Sequence, residues 1–123
     1  MARHTAIDIR DDQLFVLVQP KLEAFADELQ PHLRRYFPER CSTLGPEPTR
    51  ALTLRSLRYG WQLGLRTRRD AGRLVNVVFR YGEALLDADW ARACLTDERL
   101  APPFRIMQLR MTAQAHMQEP ALV

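Results

Sequence analysis

The residues best suited to recognition chemistry lie between Arg50 and Arg80, where eight arginines (50, 55, 58, 66, 68, 69, 73 and 80) meet a single acid, Asp70. A guanidinium is a planar, permanently charged fork that grips carboxylates and phosphates alike. Tyr59, Trp61 and Tyr81, in or beside the interval, add faces on which a ligand can stack. Such a set recognises anions rather than breaking bonds. Three readings compete: a solvated charged face, a protein-docking surface, since Arg, Tyr and Trp commonly anchor interfaces, or a nucleic-acid surface working through phosphate contacts and stacking. Acids crowd the flanks, with Asp8, Asp11, Asp12, Glu23, Asp27 and Glu28 on one side and Glu83, Asp87, Asp89, Asp97 and Glu98 on the other. The formal charge is therefore only +3, and no nucleic-acid module is recognisable. The expected partner is a protein. The candidate partner-binding residues are Arg58, Tyr59, Arg66, Arg69, Arg73, Arg80 and Tyr81. Arg69 and Arg73, four apart on a helix, can present two forks to acidic groups on another protein or on a second copy.

Catalytic constellations are not evident. His4, His32 and His116 lie in separate segments, with neither a His-x-x-x-His pair nor a Cys-x-x-Cys among the residues, so no metal site is expected. Ser42 and Ser56 sit in no nucleophile elbow. The glycines at 60, 64, 72 and 82 are scattered through helical pattern without forming a phosphate loop. Asp87 and Asp89 read as caps of a helix beginning near Trp90 rather than as an acid/base pair. Cys41 and Cys94 are too few and too far apart for a disulfide framework, and are expected as two buried free thiols. No catalytic residue and no cofactor is implied.

The elements that must position the arginines are helical. At 123 residues, 46% apolar and 27% charged, the chain suits one globular domain. No apolar run approaches the ~20 residues that cross a bilayer, and Met1 to Asp8 lacks the apolar region of a signal peptide, so a cytoplasmic protein without membrane contact is expected. The central helix is the best specified. Thr67 reads as its N-cap with Asp70 completing a capping box, and Ala71, Leu74, Val75, Val78 and Phe79 recur at the spacing of one buried face. Gly82 stands where a C-terminal residue of positive φ is wanted. Arg66, Arg69, Arg73 and Arg80 fall outside the Leu74/Val75/Val78 stripe and should reach solvent or a partner.

Ahead of it, a first helix is expected from near Asp11, carrying Leu14, Val18, Leu22, Phe25, Leu29, Leu33 and Tyr36 on one stripe, with a break or kink at Pro20 or Pro31. Cys41 to Pro46 reads as a turn or single helical turn. A second helix from about Pro48 to Leu63 would bury Ala51, Leu54, either Leu57 or the stem of Arg58, and Trp61, its Gly60 permitting close packing, and Gly64 would end it. A short helix near Ala88 to Leu95 and a last one from Pro102 to about Gln118 complete the chain. The expectation is an all-α single compact domain of four to five helices over residues 11–118, between a flexible N-terminus (1–10) and a frayed tail (119–123). Its core should hold Leu22, Phe25, Leu29, Leu54, Trp61, Leu74, Val75, Val78, Phe79 and Trp90.

The succession His32-Leu-Arg-Arg-Tyr-Phe-Pro38, Cys41-Ser-Thr-Leu-Gly45, Gly64-Leu-Arg-Thr-Arg-Arg-Asp70 and Asp89-Trp90-Ala91 resembles small all-helical proteins encoded beside type VI secretion genes in Gram-negative bacteria, near PAAR-tipped or spike-associated effectors. The resemblance implies a non-catalytic accessory role: an effector chaperone, co-chaperone or adaptor, working with the effector or with a second small subunit. An immunity protein that neutralises a toxin is the alternative among binding proteins. A nucleic-acid-binding regulator using the arginine-rich centre is the alternative of a different class.

Overall fold

Helices follow wherever an apolar stripe of period 3.6 is bracketed by proline or glycine. The computed structural model describes residues 18–117, in the order α1 (Val18–Tyr36), α2 (Pro38–Leu44), α3 (Pro46–Gln62), α4 (Arg68–Tyr81), a 3₁₀ turn (Glu83–Asp87), α5 (Asp89–Leu95) and α6 (Pro102–His116). The all-α single domain is as expected, with six helices rather than four or five. The added one is α2, where Pro38 opens a seven-residue helix in place of the expected turn. Expectations for the two ends, including the start near Asp11 and Leu14, lie outside the described residues.

α4 is the hub, touching α1, α3, α6 and the 3₁₀ turn. It starts as its sequence dictates: the Asp70 backbone N–H donates to Thr67 Oγ1 at 3.2 Å, and Gly82 closes the helix at φ +110°. Leu74, Val75, Val78 and Phe79 are at most 1% exposed. Ala71, Gly72, Val77 and Tyr81 are buried as well, so beyond Arg68 at its start only a strip bearing Arg69, Arg73, Asn76 and Arg80 escapes full burial. The last carbonyls of α4 are met by a cation, as Arg40 of α2 donates from Nε to the Phe79 carbonyl at 2.9 Å.

α1 does not break. Pro20 falls in its first turn, where a missing N–H costs nothing, and the helix continues through Pro31. Pro31 is exposed, so water can serve the carbonyl that it leaves without a donor. Leu22, Phe25, Ala26, Leu29 and Leu33 face the core, whereas Tyr36, expected on the same stripe, is 58% exposed.

α3 reaches α1 and α4 through a face that polarity disguises. Thr49, Thr53, Ser56 and Gly60 are all buried and recur every three to four residues, forming a small-residue ridge along one side. Thr53 Oγ1 donates to the Thr49 carbonyl and Ser56 Oγ to the Leu52 carbonyl, both at 2.8 Å, which satisfies the hydroxyls inside their own helix. Gln30 of α1 donates to Thr53 Oγ1 at 3.2 Å. At Gly60 an added Cβ would come within 2.9 Å of Leu74 Cδ2; the expected close packing is there. The other expectations for α3 need correction, since Ala51 is exposed and Trp61 only half-buried. The ridge claims the inward face and turns both outward.

The remaining corrections concern the C-terminal third. Trp90 is half-buried, as is Cys94, so only Cys41 is a buried thiol, and both cysteines are free. Burial pushes the Cys41 thiol above its ordinary pKa. Neither Asp87 nor Asp89 caps α5: the N-cap is Ala88, and Asp87 turns to Arg55 instead. Arg105 ties the α5–α6 connection by donating from Nε to the carbonyls of Leu100 and Asp97 at 2.7 and 2.8 Å.

Candidate functional site

The structure divides the arginine-rich interval into two populations. The first is consumed in joining helices. Arg50 of α3 reaches Asp27 of α1 at 2.6 Å, and that guanidinium holds the Asp27 carboxyl below its ordinary pKa. Arg55 bridges Glu83 at 2.6 Å and Asp87 at 3.0 Å, binding α3 to the 3₁₀ turn. Arg68 pairs with Glu28 and lies over the Phe25 ring, 4.6 Å from its centroid, joining α4 to α1. The acids that flank the interval in sequence are therefore brought back onto its arginines.

Three of the candidate residues lie apart from the exposed face of α4. Arg58 donates to Gln19 at 3.3 Å. Arg66 is exposed but folds back over Trp61, 3.8 Å from the ring centroid, and donates to the Trp61 carbonyl. Tyr59 is half-buried, its hydroxyl buried without a hydrogen-bond partner among the described residues, and burial raises its pKa. Arg58, Tyr59 and Arg66 thus do not join the remaining candidates in one site.

The second population shares one face. Arg69, Arg73 and Arg80 stand at i, i+4 and i+11 along α4, which brings them into line on a helix, and all three are exposed. Arg69 and Arg73 have no hydrogen bond or ion pair among the described residues, and like charges at i, i+4 oppose the helix by a few tenths of a kcal/mol, roughly. Asp70 cannot relieve them. It is 5% exposed, in the first turn of α4, where the helix dipole favours a carboxylate.

Beside this face runs a cleft of about 840 Å³ between the end of α1, α4 and α6. Arg73, Arg80 and Arg110 rim it, and Tyr36, Val77, Ile106 and Met107 supply apolar walls. His32 also lines it, with Nε2 3.1 Å from Asn76 Oδ1 and its ring 4.8 Å from that of Tyr36. Tyr81 lines the cleft too, but at 7% exposure it is mainly a core residue offering one edge. No carboxylate is among the described residues that line it.

Three further residues enlarge the surface in a way the sequence reading missed. Phe104, Met107 and Met111 are 56%, 46% and 59% exposed, and their i, i+3, i+7 spacing makes one stripe. The opposite face of α6 buries Ile106, Leu109 and Ala113. The signal was present as apolar residues on two opposite sides of this helix, a pattern that calls for cover on both faces.

Among the described residues no group of three His, Cys, Asp or Glu is placed to hold a metal ion, and no helix is long and apolar enough to cross a membrane. No protein-family model matches the chain, and no curated protein or solved structure matches it; the resemblance to type VI secretion accessory proteins therefore rests on the quoted residues alone.

Proposed function

We propose that this chain is a non-catalytic protein-binding domain that docks a partner through the α1–α4–α6 cleft. The observation that carries this reading is the exposed apolar stripe of Phe104, Met107 and Met111, which meets the cleft and its cationic rim at Met107. Exposed Met and aromatic side chains adapt to a partner's surface, and arginine at the edge steers and orients it. The arginines engaged at home with Asp27, Glu28, Glu83 and Asp87 support the division of labour, because Arg73 and Arg110 line the cleft without such a pair among the described residues.

With this goes the role implied by the resemblance: a cytoplasmic chaperone, co-chaperone or adaptor that holds a type VI secretion effector. The test is export in the native host. Replacing the gene with a folded variant carrying Met107→Lys and Met111→Lys should abolish effector export while leaving the producing cell unharmed. Self-intoxication of the producing cell would instead assign an immunity protein. Binding to arbitrary DNA or RNA that falls steeply with salt would assign the nucleic-acid regulator.

A further inference from the structure

The composition of the cleft says what kind of partner segment fits it. No strand occurs among the described residues, so recognition by adding a strand to a sheet edge has no template here. What is offered is a channel between two helices, and the natural filler of such a channel is a third helix, packed ridge into groove at ~8–10 Å between axes. The stripe of α6 has the repeat of a helix–helix seam, with Met107 belonging both to the stripe and to the cleft wall. α6 is apolar on two faces and covered on one, which leaves room for one more helix of the bundle.

Charge then selects among helices. Arg73, Arg80 and Arg110 border the channel and Arg69 continues the line along α4, without a carboxylate among the described lining residues. A segment with basic flanks would be repelled, and one with acidic flanks would supply the counter-charges that Arg69, Arg73 and Arg110 lack among the described residues. A second copy is a poor source for them, because Asp27, Glu28, Glu83 and Asp87 are engaged with this chain's own arginines, and the exposed Glu39, Glu47, Asp89 and Glu98 stand on four different segments rather than along one helix.

We infer that the cleft receives an amphipathic helix from a different protein, its apolar stripe seated on Tyr36, Phe104, Met107 and Met111 and its acidic flanks facing Arg69, Arg73 and Arg110. This rests on the docking role proposed above and specifies the partner's chemistry.

The probes are two synthetic peptides matching the 15 residues of α6 in length, each with a Leu/Met stripe at i, i+3, i+4 and i+7. One carries Glu and the other Lys on its flanks. The acidic peptide should bind the full chain at least about tenfold more tightly than the basic one, gain helix on binding, and weaken as salt rises. Arg73→Glu with Arg110→Glu should reverse the preference, and Met107→Lys should weaken both peptides by about tenfold or more. These positions are exposed, so circular dichroism should report an unchanged fold. Equal binding of the two peptides, or binding of neither, overturns the inference. A photo-crosslinker at position 107 of the full chain separates the occupants. Crosslinking to a second copy, or to residues 1–17 or 118–123 of the same chain, overturns the inference. Crosslinking in the native complex to a partner segment that is not an acidic helix overturns the helix but leaves protein docking standing. A native complex that Met107→Lys does not weaken overturns both.

Discussion

The side of the bundle where α3 meets α1 and α4, and the side where α4 meets α6, use the same residue type to opposite ends. On the first, Arg50, Arg55 and Arg68 each find a carboxylate on another element, and Arg68 also covers the Phe25 ring. On the second, Arg69 and Arg73 stand four residues apart with no such partner among the described residues, next to apolar side chains that no described element covers. An arginine's role is thus set by what its helix face meets rather than by the density of arginines in sequence. The same holds for apolar residues, since Leu109 is fully buried while Met107 and Met111, two positions away on either side, are about half exposed.

The contrast can be broken most forcefully from the packed side. Val78→Asp would bury an unpaired charge where the native side chain is 0% exposed, at a cost above about 4 kcal/mol. That is a large part of a domain's total stability, so the cooperative melting transition should be lost. Gly60→Val comes next. With Leu74 Cδ2 already 2.9 Å from the position of a Cβ, the branched side chain should cost about 1–3 kcal/mol by overpacking, read as a lower denaturant midpoint with an unchanged slope. Arg68→Ala should cost about 1–2 kcal/mol, because it removes the cover over Phe25 as well as the partner of Glu28.

Smaller effects sharpen the same line. Met107→Lys and Arg73→Glu, on the open side, should leave the melting temperature within error of the parent chain, as substitutions of exposed residues usually do. A marked loss of stability in either would move the cleft into the structural class. The pH dependence of the Asp27–Arg50 bridge should be the faintest signal. Its carboxyl is held below its ordinary value of 3.8, so its contribution is fully present above that value and is lost as pH falls through the depressed pKa. Thermal melts of the parent chain and of Asp27→Asn should therefore differ by the same small amount at pH 7 and pH 5, and converge only below pH 3.8.

How much of this was legible in the sequence depended on whether a position's environment was local. Thr67, Asp70 and Gly82 act on backbone within a few residues of themselves, and the bounds of α4 could be read from them to within one residue. The small-residue ridge of α3 was illegible because Thr53 and Ser56 look polar until their hydroxyls turn back onto their own helix, and the buried Thr49 looks polar as well. That inversion also misled the placement of Ala51 and Trp61. The pairing of flanking acids with central arginines depends on contacts 23 to 40 residues apart, which no periodicity reports. Of the candidate partner-binding residues, Arg69, Arg73 and Arg80 were brought to one face because their spacing repeats along one helix, whereas Tyr81 is mainly core. Tyr36, Phe104, Met107 and Met111 were missed because an apolar residue in a helical pattern is more often core than surface, and Arg110 because it lies outside the arginine-rich interval.

The central claim is that the cleft, not the α3 face, is where a partner sits. Chemical-shift mapping of the isotope-labelled chain during titration with its purified partner tests it most directly. The account predicts that the perturbed amides cluster at Tyr36, Asn76, Val77, Met107, Arg110 and Gln114, leaving Arg50, Arg55 and Arg58 at their free positions. Perturbations gathered on α3 around those three arginines, with α6 unmoved, would contradict it.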